Sequence, residues 1–205
     1  MSRPAVPSRR ADILAAARAA FNERGFAATR MEDIGRRIGI SKAALYLQFP
    51  SKEALFQALT SEIIEQMLPE VAPDDFGDRP ASELLRGFIT VIAARLAQPD
   101  MAFVARVIIG EGMNFPDLAR YYHDHAISRG LGIAERIIVH GIARGEFAAV
   151  DPLLAARTVV GAILFGALWK IVFEPVGAEP LDIPAMAAAH AETVLMGLTI
   201  RKDRP

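Results

Sequence analysis

Residues 29–55 read TRMEDIGRRIGISKAALYLQFPSKEAL, and the fold turns on how this run divides. Thr29 with Glu32 three residues on has the form of a capping box, and Met31, Ile34 and Ile38 then mark one face of a short helix. Gly39 ends it, because the sharp turn out of a helix favours a left-handed backbone residue, where a side chain would clash. Ser41 is placed to cap a third helix through Phe49, and Pro50 stops that helix. Ser51 and Glu53 open a fourth, with Leu55, Phe56, Leu59 and Ile63 on its inner face. Upstream, residues 8–24 carry Ile13, Leu14, Ala17, Ala20 and Phe21 at helical spacing, with Ser8 placed to cap the first helix and Gly25 to end it.

Two short helices joined by a glycine turn are too small to stand alone. Packed with the first and fourth helices they can bury Phe21, Ile34, Ile38, Leu45 and Phe49, which is the anatomy of a helix-turn-helix. With Leu45 and Phe49 facing inward, the third helix exposes Lys42, Ala43, Ala44, Tyr46, Leu47 and Gln48. Small Ala43 and Ala44 allow close approach to a major groove and can touch a thymine methyl, Gln48 can pair with a base edge, and Lys42 and Tyr46 can hold phosphates. Arg30, Arg36 and Arg37 read equally as DNA contacts or as ordinary solvated charge.

Charge is distributed to match. The net charge of −1 averages a basic head, ten Lys/Arg against five Asp/Glu in residues 1–57, with an acidic remainder of thirteen against nineteen. A polyanion is expected to meet the head alone.

The run TRMEDI (29–34), then GISKAALY (39–46), then FPSKEAL (49–55), resembles the signature of the TetR family of transcriptional regulators, with the likeness spanning about residues 8–65. The resemblance implies that Thr29 and Lys52 contact backbone phosphates from helix starts and that helix 41–49 enters the major groove. It also implies that the last two long helices form a dimer interface while those before them surround a ligand cavity. Gly35 and Ile38 stand where small alanines are usual, and Leu47-Gln48 replaces a pair whose second member is often histidine, so base preference does not carry over.

The expected architecture is all-α: an N-terminal three-helix helix-turn-helix domain (1–65), linked by the fourth helix to a C-terminal helical effector-binding and dimerisation domain (66–205). The Pro-, Gly- and Asp-rich stretch 69–80 marks the junction, and helices are expected over 81–97, 100–113, 116–144, 152–173 and 182–200. Apolar residues from Val159 to Ile171 span more than one face of their helix, which calls for burial on two sides, such as a core and a partner subunit, with a larger monomer core as the alternative. Phe88, Ile92, Phe103, Val107, Met113, Phe115, Tyr122, Phe165 and Trp169 form the expected apolar lining of a small-molecule cavity, with Glu111 and His125 as candidate polar anchors. His123 and His125 are two apart and point to different helical faces, so no metal is expected, and no cofactor either.

Other classes find little support. Gly130-Leu131-Gly132 lacks the third glycine and the preceding strand of a nucleotide fingerprint, and no zincin motif, nucleophile elbow or phosphate loop occurs, so no enzyme is expected. The chain has no cysteine and no signal-peptide pattern, which suits the cytoplasm. Its longest uncharged stretch, 158–169, falls short of a membrane span. The sequence therefore reads as a cytoplasmic homodimer on near-palindromic double-stranded operator DNA, a repressor released by a small, largely apolar effector. The alternatives are a DNA-binding dimer without an effector and an activator.

Overall fold

A computed structural model describes residues 9–67 and 76–200, except for the side chains of Arg9, Gln66, Met67 and Asp100. The described residues form α1 (Arg9–Arg24), α2 (Met31–Arg37), α3 (Lys42–Gln48), α4 (Lys52–Met67), α5 (Ala81–Leu96), α6 (Pro99–Glu111), α7 (Pro116–Tyr122), α8 (Ser128–Ala143), α9 (Pro152–Leu168) and α10 (Ile183–Leu198). Among them no strand forms, and one antiparallel bridge pairs Phe147 with Thr199. The all-α expectation holds. Ser8 and most of the expected junction lie outside the described residues.

Two compact units result, and their division is not a single cut in the sequence. Of the described residues, one unit holds 9–64 together with 106–122; the other holds 65–67, 76–105 and 123–200. The end of α6 and all of α7 thus belong with the N-terminal helices.

The N-terminal unit closes around Ile13, Ala17, Phe21, Phe26, Ile34, Leu45, Leu55 and Phe56, all fully buried. Each such large side chain contributes about 1.5–3 kcal/mol on leaving water, which lets two seven-residue helices persist that would melt in isolation. Gly39 has φ +68°, as the turn requires, and Ser41 and Ser51 cap α3 and α4 by accepting from the Ala44 and Ala54 amides. The capping box does not form. Arg30, not Thr29, is the residue before α2 and makes no side-chain cap, while the Thr29 hydroxyl is buried and donates to the Gly25 carbonyl (2.7 Å), with the Ala20 carbonyl also in reach at 3.2 Å. Ile38, expected in the core, follows the end of α2 and is only half-buried.

In the C-terminal unit α5 packs on α8 and α10, and α8 on α9, through Leu85, Ile89, Ala134, Ile138, Ala156, Val159 and Ala191. Asp151 and Asp182 cap α9 and α10. The start of α5 follows Pro80, which has no capping side chain. Glu146 serves from the α8–α9 loop, accepting from the Ala81 (2.8 Å) and Ser82 (3.4 Å) amides. The helix expected over 116–144 is interrupted by a π turn at His123–Ile127, and the 152–173 helix ends in a second at Trp169–Phe173. Together with the 3-10 turn Glu174–Val176, α9 makes a 25-residue run, Pro152–Val176, whose most apolar 18-residue window has a mean hydropathy of 1.8. By length and composition it could cross a membrane, a test that the core helix of a soluble protein passes as well.

Candidate nucleic-acid interface

α3 turns Leu45 and the following Phe49 into the core and leaves Lys42, Ala43, Tyr46, Leu47 and Gln48 exposed, with Ala44 half-buried. Leu47 is the extreme case, 85% exposed. Lys42 pairs with Glu32 on α2 at 2.5 Å and lies over the Tyr46 ring, 5.6 Å from its centre. That hydrogen bond holds the Glu32 carboxyl below its usual range and the Lys42 ammonium above its own. Both groups are open to solvent, so a phosphate can take the place of Glu32 at little cost. Arg30 is exposed, Arg36 pairs with Asp33, and Arg37 pairs with Glu23 at 2.5 Å.

Lys52 and Thr29, to which the resemblance gave phosphate contacts from helix starts, both turn their side chains inward. The Lys52 ammonium donates to the carbonyls of Phe26 (2.7 Å), Ala27 (3.0 Å) and Thr29 (3.1 Å), and it lies 4.6 Å from the centre of the Phe26 ring and 5.8 Å from that of Phe115. Burial lowers its pKa. From the start of α4 this one cation holds closed the α1–α2 loop, from which α2 and then α3 are hung.

The residues expected to meet an effector fall in both units. In the N-terminal unit Glu111 and Phe115 close on the same loop: the Glu111 carboxylate accepts from the Ala27 amide (3.2 Å), and Phe115 meets Phe26 edge-on at 4.8 Å. Phe26 in turn meets Phe21 at a tilt and Phe56 edge-on, so four aromatic rings tie α1, the loop, α4 and the α6–α7 turn together. The Tyr121 hydroxyl, on which no sequence motif falls, bonds to Ser61 on α4. Val107 and Tyr122 are buried, with burial pushing the Tyr122 pKa up to about 12, whereas Met113 is 98% exposed.

In the C-terminal unit Phe88, Ile92 and Phe103 are buried and His125 is exposed. Phe165, Trp169 and Phe173 form a ladder of rings along one side of the α9 run, with Phe165 53% exposed and the Trp169 indole donating to the Glu179 carbonyl. A concavity of about 350 Å³ lies beside Arg129, Gly132, Ile133 and Arg136 of α8. No group of three or more metal-ligating side chains occurs among the described residues.

Comparison with known proteins agrees with this arrangement. The family model of bacterial regulatory proteins of the tetR family matches residues 13–59, and that of the AefR-like transcriptional repressor C-terminal domain matches 83–198. The transcriptional regulator RutR of Escherichia coli K12 is 43% identical over 61 residues, which are 30% of this chain and 29% of RutR, so the match spans under a third of that relative's length. The transcriptional repressor Rv1474c of Mycobacterium tuberculosis is 28% identical over 133 residues, 63% of this chain and 65% of the relative. Among solved structures, FadR from Bacillus subtilis in complex with stearoyl-CoA superposes with a TM-score of 0.74 over 92% of this chain and 99% of that one, at 21% identity.

Proposed function

Because the chain belongs to the TetR family of transcriptional regulators, with family domains matched at both its ends, we propose that it is a repressor that binds a near-palindromic operator as a homodimer and lets go when a small, largely apolar ligand binds its C-terminal unit. The observation that carries this reading is the outward face of α3, where Lys42, Ala43, Tyr46, Leu47 and Gln48 stand in solvent above a buried Leu45. These residues, with Ala44 and Arg30, are the DNA contacts; Thr29 and Lys52 hold the loop that presents them.

Two chains join through α9 and α10, where Leu154, Phe165 and Met196 leave apolar surface exposed. Such surface is expected where a second copy covers it. A dimer sets two α3 helices about 34–36 Å apart, one DNA turn. The effector acts by favouring a state with another spacing. α6 runs from the C-terminal unit into the N-terminal one, and its last residue, Glu111, holds the α1–α2 loop, so a ligand-driven shift of α6 reaches the recognition helix. A coupling of about 1–3 kcal/mol gives roughly 5- to 150-fold release. The α8 concavity is lined by Arg129, Gly132, Ile133, Glu135 and Arg136, and the apolar character expected of the ligand rests instead on Phe88, Ile92 and Phe103, buried in the same unit.

Fluorescence anisotropy of the purified chain on the duplex upstream of its own gene and on a scrambled duplex, at two salt concentrations, tests the reading. A preference for the native duplex that survives the higher salt supports it. Equal binding that fades with salt on both would reduce it to phosphate attraction. Stearoyl-CoA, the ligand held by FadR, is the first probe for release.

A further inference from the structure

The outermost line of the recognition helix is apolar. At 3.6 residues per turn each step is about 100°, so Ala43 and Leu47, two residues to either side of the inward Leu45, straddle the direction opposite to it. Gln48 falls only about 60° from Leu45, on the flank nearest the core. Of the polar groups around this line, Lys42 pairs with Glu32 and the Ser41 hydroxyl accepts from the Ala44 amide, while Tyr46 and Gln48 stand to either side of it. Leu47, at 85% exposure, therefore stands foremost with no hydrogen-bonding capacity.

In the major groove most base-edge groups are donors or acceptors. The apolar one is the C5-methyl of thymine. We propose that Leu47, with Ala43 one turn before it, reads thymine methyl groups in each half-site, making Leu47 a specificity-determining residue. Set against the acceptor edge of guanine or the cytosine amine, Leu47 would cover a polar group without pairing it, and that cost rejects a G·C pair at the position. The inference rests on the DNA-binding reading above and adds the chemistry of what is read.

The test starts with a duplex selected by the full chain from a random-sequence pool, so that the site need not be known. Its thymines are then replaced one at a time, symmetrically in both half-sites, by deoxyuridine, which removes only the methyl group. At one or two positions the wild-type chain is expected to lose about fourfold per half-site, roughly 15-fold for both, the effect of returning a methyl-sized group to water. Leu47→Ala is expected to bind the selected duplex more weakly and to lose this sensitivity. Its melting temperature and salt dependence should remain those of the wild type, since Leu47 supports no part of the core.

Deoxyuridine without effect at every position, on a duplex the wild type still prefers to a scrambled one, overturns the methyl readout and leaves DNA recognition standing. Sensitivity that persists unchanged in Leu47→Ala overturns the assignment to Leu47. Failure of the wild type to prefer any selected sequence removes both this inference and the function on which it rests.

Discussion

At Lys52 three carbonyl oxygens and two aromatic faces surround one ammonium group, and the carbonyls belong to the loop that leads into α2. A cation so placed is expected to order the interface without touching DNA. Lys52→Met is therefore expected to lower the melting temperature and weaken operator binding while leaving the slope of log affinity against log salt unchanged. Were Lys52 bound to a phosphate in each half-site, the same substitution would make that slope shallower by about 0.9 per phosphate. Glu111 meets the same loop from α6. Glu111→Gln keeps the shape but weakens the bond to the Ala27 amide, and we expect anisotropy titrations to show the operator retained and effector-induced release reduced by severalfold. At this scale the sequence is readable where a side chain acts on its own chain neighbours, as Ser41 and Ser51 do. It is not readable for Lys52, Glu111 and Phe115, whose partners lie 23 to 89 residues away and are brought near only by the fold.

Among the elements, α5 depends on a residue far from it in sequence. Desolvation alone would raise the Glu146 pKa, but hydrogen bonds from Arg144 and from the Ser82 and Ala81 amides outweigh it and hold the carboxyl below its ordinary 4.5. A carboxylate depressed in the folded state stabilises at all pH above its unfolded value and ceases to do so as pH falls through the lower, folded one. Glu146→Gln should thus cost about 1 kcal/mol at neutral pH, the usual size of a helix cap, and thermal melts should show the gap from wild type closing below about pH 4.5. Next to it, Gly141 lies under the Phe147 ring, and a Cβ there would stand 2.3 Å from a ring carbon. Gly141→Ala is expected to destabilise by about 1–3 kcal/mol in a denaturant titration, as overpacking does. Periodicity yields the element order and most boundaries to within a turn. The π turns at His123–Ile127 and Trp169–Phe173 escape it, because an extra residue in one turn leaves the apolar pattern nearly unchanged.

For the whole molecule, an acidic chain with a basic head suits a regulator that meets DNA through one face only. The apolar surface left on α9 is the counterpart of that face, since one recognition helix reads too few base pairs to select a site alone. Phe165→Glu is expected to raise the dimer dissociation constant at least a hundredfold, or about 3 kcal/mol across two copies of the contact, seen as monomer by sedimentation at micromolar concentration. Hydroxyl-radical footprinting of the wild-type chain on its selected duplex tests the central claim most directly. Two protected patches with centres about 10–10.5 base pairs apart are predicted, related by the pseudo-palindrome of the site. A single patch, or protection spread evenly along the duplex, would contradict a dimer that places one α3 in each of two successive major grooves.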